Sequence, residues 1–249
     1  MKKLLLVAAL AISVVSLATA DLTHTALKIG DDIELSGPGG GAEGACEIRY
    51  YNSCAGWIWV WSGWAAGDMV GTIFDLPADC GTYEGGGCEF TAPVVLIRTT
   101  APDYGFTVDF ETYNLDVDLC LDGGPIAGLY DVDFPASDPN TGWAGLFDLG
   151  NFGLVPDVFA FTMSWDAGVY PTIVTEDPNS NYHAPLYCPG YVMGPRMSYS
   201  FATAGVPDCP PVLWNDGVYD VNWYVRGNFY CPSVATEDAS WGEVKNLFR

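Results

Sequence analysis

Apolar and polar residues alternate with a period of two through much of this chain, and no other feature narrows its possible folds so far. In FTVDFETYN, Phe106, Val108 and Phe110 share one side of an extended chain, while Thr107, Asp109 and Glu111 share the other. LDVDLCLD sets Leu115, Val117, Leu119 and Leu121 against Asp116, Asp118 and Asp122. DVFAFTMSW sets Val158 and Ala160 against Phe159, Phe161, Met163 and Trp165, and MSYSFAT groups Met197, Tyr199 and Phe201. A strand sends successive side chains to opposite faces, so each run predicts a strand. Strands with one apolar face belong to antiparallel sheets with one wet side. Turn signals recur at short intervals: DGG (122–124), DPN (138–140 and 177–179) and NDG (215–217). In each, proline or glycine suits the fixed or positive φ of a tight reversal. Long amphipathic helical periodicity is missing from the body of the chain, and the prediction is an all-β fold, an antiparallel β-sandwich.

An internal similarity bears on how many units there are. CLDGGPIAGLYDVDF (120–134) and CPPVLWNDGVYDVNW (209–223) align at a constant offset of 89 residues, matching Tyr130, Val132 and Phe134 with Tyr219, Val221 and Trp223. Repeats of this kind point to two related β units. The expected partition is 45–135 and 136–235, with one continuous β domain over 45–235 as the alternative.

The ends differ from this body. Residues 1–20 carry Lys2 and Lys3, then an apolar run to about Leu17, then Ala18 and Ala20, the layout of a secretory signal peptide cleaved before Asp21. That run is too short to span a bilayer well, and no later segment is a better candidate. The expectation is a secreted protein, extracellular, at the cell surface or periplasmic, with no membrane span. Residues 21–44 form an N-terminal arm, with Leu27, Ile29, Ile33 and Leu35 ahead of the glycine-rich SGPGGGAEG. In the tail, 236–249, Ser240 and Glu243 make a capping-box pattern, and Trp241, Val244, Leu247 and Phe248 share one side of a predicted short amphipathic helix.

Cleavage removes Lys2 and Lys3 from nine basic residues, leaving seven against 31 acidic ones, a formal charge of −24. Such a charge repels nucleic acid and anionic lipid unless cations intervene. It does not imply disorder, because 49% hydrophobic and 14% aromatic residues can bury a large core.

All eight cysteines, Cys46, Cys54, Cys80, Cys88, Cys120, Cys188, Cys209 and Cys231, lie beyond the signal. An even number in an exported chain reads as a disulfide framework. The glycine-rich CGTYEGGGC (80–88) can fold back on itself, which makes Cys80–Cys88 the expected local bridge. Zinc is the weaker reading, since there is no CxxC and the two histidines are His24 and His183.

The candidate ligand site is GWIWVWSGW (56–64). On a strand Trp57, Trp59 and Trp61 point one way, about 7 Å apart, while Ile58 and Val60 point the other. An exposed row of these indoles with Trp64 would be a platform for sugar rings, with Asp68 or Asp75 beside it taking hydroxyls. Because both faces are apolar, burial on both sides is the stronger reading. Calcium is a candidate cofactor: Asp177, Asn179 and Asn181 have the alternate spacing of calcium loops, and Asp131 and Asp133 lie near Asp138. Ordinary DPN turns account for both stretches without metal.

Signs of catalysis are few. His183 is the one candidate base beyond the arm, no GxSxG accompanies it, and HExxH and phosphate loops are missing. The expected function is therefore a non-catalytic, secreted or surface-bound β-sandwich that meets a glycan or protein partner through aromatic surface. One alternative is a secreted glycoside hydrolase with paired carboxylates in a cleft beside exposed tryptophans. Another is a self-assembling subunit that lends its N-terminal arm to a neighbour's sheet edge. The oligomeric state is left open by these features.

Overall fold

The computed structural model describes residues 23–28, 45–51, 57–81, 83, 85, 87–98, 106–134, 145–165, 172–176, 195–214 and 221–231. Strands β1 (Thr23–Lys28), β2 (Ala45–Arg49), β3 (Trp57–Ser62) and β4 (Met69–Asp75) lead into a single helical turn, α1 (Leu76–Asp79). Then come β5 (Cys88–Phe90), β6 (Val94–Arg98), β7 (Phe106–Leu115), β8 (Leu121–Phe134), β9 (Gly145–Asp148) and β10 (Gly153–Val155). The chain continues through β11 (Val158–Ser164), β12 (Thr172–Glu176), β13 (Ser198–Thr203), β14 (Val206–Leu213) and β15 (Val225–Tyr230). The fold is an antiparallel β-sandwich, as the alternation predicts. Its nine-stranded sheet runs β1-β3-β12-β6-β15-β5-β10, with β2 also paired to β15 and β9 to β6; its six-stranded sheet runs β14-β13-β4-β11-β7-β8.

Strands from before and after residue 135 alternate in both sheets. β12 lies between β3 and β6, β15 between β6 and β5, and β11 between β4 and β7. The facing sides share one core, in which Phe74, Phe159 and Phe161 of the smaller sheet meet Phe90 and Phe229 of the larger. Ring centroids of Phe74 and Phe90 are 5.7 Å apart and those of Phe90 and Phe161 5.4 Å apart, edge on, the arrangement favoured by aromatic quadrupoles. β1 pairs with β3 of its own chain, from Thr23 opposite Ser62 to Lys28 opposite Trp57. Residues 23–28 of the arm thus form an edge strand of this sandwich, paired within their own chain. The C-terminal helix predicted within 236–249 lies outside the described residues.

One strand assignment and one turn assignment are exchanged in the structure. LDVDLCLD is not one strand: Asp116 to Cys120 form the reversal between β7 and β8, and Val117 is 94% exposed. Asp116 forces the bend, its Oδ1 accepting from the backbone N–H of Asp118 and of Cys120, both at 2.9 Å. An aspartate that satisfies the backbone this way mimics a turn, and a period-two count does not register it. DGG, predicted as the turn, instead lies within β8, where the pairing with β7 shifts register twice and Gly123 takes φ +78°.

The cysteines also pair differently from expectation. Cys46 bonds Cys80, Cys88 bonds Cys231 and Cys120 bonds Cys209. The local Cys80–Cys88 bridge is therefore corrected, and sheet register explains why. β15 pairs β5 with Phe229 opposite Phe90 and Tyr230 opposite Glu89, so the next step places Cys231 opposite Cys88, with Cα atoms 4.3 Å apart. Cys80, at the end of α1, reaches across to β2 instead, and its Sγ still lies 3.8 Å from that of Cys231. Cys54 and Cys188 lie outside the described residues.

The third bridge shapes the smaller sheet. β8 and β14 stand at its opposite edges, five strand steps or about 24 Å apart if it were flat. Cys120, at the entry to β8, lies 5.2 Å from Cys209 of β14 between Cα atoms, so the sheet curls its edges together. The curl closes over a second apolar cluster on the outer side, formed by Ile73, Tyr113, Ala160 and Phe201. These bonded cysteines are also the two that head the 89-residue similarity.

Gly71 shows how tight this outer cluster is. A Cβ there would stand 2.6 Å from the carbonyl oxygen of Phe161 and 3.0 Å from Phe201 Cε2. Gly71→Ala is expected to lower stability by about 1–3 kcal/mol, read as a lower urea midpoint at unchanged slope.

Candidate functional site

The tryptophan run occupies β3, and its faces sort as the spacing predicts. Trp59 and Trp61 face the shared core at 3% and 1% exposure, while Ile58 and Val60 join Tyr51, Leu96, Val174 and Tyr224 on the other side. The ring of Trp61 is 6.0 Å from Trp59 and 5.4 Å from Trp214; Trp64 meets Trp214 at 5.2 Å and Trp165 at 5.5 Å. Trp61 donates from Nε1 to Thr175 Oγ1 at 2.9 Å, and Trp64 from Nε1 to the carbonyl of Trp61. The sugar-stacking expectation for Trp59, Trp61 and Trp64 is corrected accordingly: these rings fill the sandwich. The backbone of Trp57 lies in β3, and its side chain is outside the described set.

The carboxylates offered as helpers to that platform are structural. Asp68 is buried and accepts from Ala65 N and Ala204 N, both at 2.7 Å, joining two turns. Asp75 caps α1, accepting from Ala78 N at 3.0 Å. Of the calcium candidates, Asp177, Asn179 and Asn181 lie outside the described residues, as does His183. Asp131 and Asp133 sit exposed on β8, where Asp131 donates its N–H to Asp109 and Asp133 accepts from Thr107 Oγ1. Among the described residues, no three His, Cys, Asp or Glu side chains converge as a metal ion would require.

A cleft of about 460 Å³ opens instead beside β2, lined by Glu47, Ile48, Arg49, Tyr50, Asp79 and Pro195. The spacing rules did not single out these residues, because the cleft joins positions distant in sequence. Asn222 holds its far wall, donating from Nδ2 to the carbonyls of Tyr50 and Pro195 at 3.0 Å each. At its floor Tyr50 donates to Asp79 Oδ2 at 2.5 Å and accepts from Asp75 N. Above, on the outer face of the larger sheet, Arg226 of β15 stands directly opposite Arg49 of β2. Glu47 lies 3.7 Å from Arg226 Nη1 and 3.9 Å from Arg49 Nε, and the Arg49 guanidinium sits 6.0 Å from the ring centre of Tyr51. Along β15 the same face continues through Asn228 to Tyr230, a residue 44% exposed.

Burial, reinforced by the hydrogen bond to Asp79, holds the Tyr50 phenol protonated well above its ordinary value of 10.0. Burial and a 2.6 Å bond to Glu111 do the same for Tyr113 under the curled sheet. A group whose pKa is higher folded than unfolded stabilises fully below the unfolded value and loses that contribution as pH rises above it. We expect stability to be level in this respect up to pH 10.0 and to fall beyond it. Tyrosinate absorbance should then rise together with loss of circular dichroism, and Tyr50→Phe should flatten the fall. Ionisation of every tyrosine near the ordinary value, with the fold intact, would contradict this.

No protein-family model matches the chain, and no curated protein matches it. Among solved structures it is similar, at 9% identity and a TM-score of 0.49, to the cysteine protease and lectin-like domains of Cwp84, a surface layer associated protein of Clostridium difficile. The match covers 77% of this chain and 37% of that one, so this chain spans well under half the length of that structure. Among the described residues no helix is long and apolar enough to cross a membrane.

Proposed function

We propose that this chain is a non-catalytic binding protein of the cell exterior, which meets a glycan or protein partner on the outer face of its larger sheet along β2 and β15. Three disulfides support an oxidising compartment. The observation that carries the reading is the cleft beside β2, lined in part by Arg49, whose cross-strand partner Arg226 and the exposed Tyr230 lie on the same face of the sheet. A cleft with a few placed polar groups and an exposed aromatic is the usual form of a contact site. The hydrolase alternative asked for two carboxylates beside exposed tryptophans. Glu47 and Asp79 do border the cleft, but Asp79 is tied to Tyr50, Glu47 lies between two arginines, and the described tryptophans are buried.

Screening the secreted chain on glycan and protein arrays tests the reading. Any ligand found should be lost in Tyr230→Ala at unchanged melting temperature. It should be kept in Val117→Ser, at the still more exposed β7–β8 turn. Signal that survives Tyr230→Ala would place the contact elsewhere and reject this face.

A further inference from the structure

We infer that the β2/β15 face takes a carboxylate-bearing oligosaccharide, with the acid group on Arg49 and Arg226 and a sugar ring on Tyr230. This deepens the reading above and rests on it. Like charges placed directly across an antiparallel pair repel and cost stability. This chain has nine basic residues against 31 acidic ones, yet sets two of the nine face to face in register. Among the described residues they share a single carboxylate, Glu47, at 3.7 and 3.9 Å, which are ion-pair distances longer than a hydrogen bond. Nε of Arg226 is buried with no hydrogen-bond partner among the described residues. The arginine pair itself therefore holds one positive charge more than Glu47 neutralises, since the nearby carboxylates of Asp79 and Glu89 are engaged by Tyr50 and Asn151. A second carboxylate would supply what it lacks, because the planar guanidinium fork matches carboxylate geometry.

The rest of the strip indicates what carries that carboxylate. Arg226, Asn228 and Tyr230 alternate on one face of β15. At about 3.3 Å per residue, Tyr230 lies roughly 13 Å from Arg226. An oligosaccharide reaches both ends, and a monosaccharide does not. The Tyr230 ring offers a flat surface to the C–H face of a pyranose, and Asn228, which donates to Ala92 O at 2.6 Å, retains an amide oxygen for a hydroxyl. The charge of the whole chain repels an anion at long range, but charges beyond about 8 Å are largely screened at physiological salt, where the local pair dominates.

The test is calorimetric titration of the secreted chain, at physiological ionic strength, with oligogalacturonate, its carboxyl-reduced counterpart and a polyglutamate peptide. The acid form should bind about tenfold or more tightly than the reduced form. Arg49→Gln and Arg226→Gln should each weaken the acid form by about tenfold and leave the reduced form unchanged, with Arg226→Lys falling between. Should Arg226→Gln fail to fold, Arg49→Gln decides, since its side chain is 42% exposed. Equal affinity for the acid and reduced sugars overturns the inference while leaving the face as a sugar contact. Polyglutamate binding as tightly as the uronate overturns the saccharide assignment. Acid binding undiminished in Arg49→Gln, or no binding of the acid at all, also overturns it, and the arrays judge the broader reading separately.

Discussion

Removing the Cys88–Cys231 bridge, as Cys88→Ala with Cys231→Ala, is expected to produce the largest loss of stability of any change considered. The bond closes 143 residues of chain. On the chain-entropy account, that loop restricts the unfolded state by about 5 kcal/mol. For a chain of this size each kcal/mol corresponds to roughly 2–4 °C, so the midpoint should drop by about 10–20 °C in calorimetry. Both sulfurs are buried, and alanine leaves no unpaired polar atom behind. The bridge also joins β5 and the end of β15 in register, next to the Cys46–Cys80 bond. A loss below about 2 kcal/mol would mean that β5 and β15 are held together without it, contrary to the loop-closure argument.

Phe90→Ala should come next. Phe90 is fully buried; it stacks on Phe229 at 4.7 Å and meets Phe74, Phe152, Phe159 and Phe161 with centroids between 5.4 and 5.7 Å. Its ring joins the two sheets, so truncation leaves a cavity that neither sheet can fill alone. The expected cost is about 3–5 kcal/mol by denaturant unfolding. Glu89, one residue earlier, points outward on the same strand, and Glu89→Ala should change stability little. Comparable losses at both positions would contradict the assigned faces of β5.

The two predictions separate parts of the fold that are legible locally from parts that are not. Where a strand has one buried side, period-two spacing is direct evidence, and β7 obeys it through Phe106, Val108 and Phe110. The rule is blind to side chains that bond their own backbone. Asp116 therefore turned an apparent strand into a hairpin end, while the glycines of DGG passed into β8 as irregularities of pairing. The tryptophans illustrate a different limit. Their sides were readable from spacing, and apolar neighbours on both faces argued for burial, yet what lies over each face is set by strands distant in sequence. Thr175 of β12, which receives the Trp61 N–H, is 114 residues away.

The candidate site lay further from view. Arg49 and Arg226 are 177 positions apart and in unremarkable contexts, and only the pairing of β2 with β15 sets them opposite each other. Pro195 and Asp79 reach the same cleft through a loop and a helix end.

From its residues alone, this chain reads as a pleated, cysteine-stapled, acidic protein, with Trp59 and Trp61 better buried than exposed, since those properties follow from alternation, composition and local turn chemistry. Tertiary structure alone decided which cysteines meet, which turns are real and where cationic side chains gather. Each of those depends on strand order and register, and register couples residues through backbone hydrogen bonds between segments far apart in the chain.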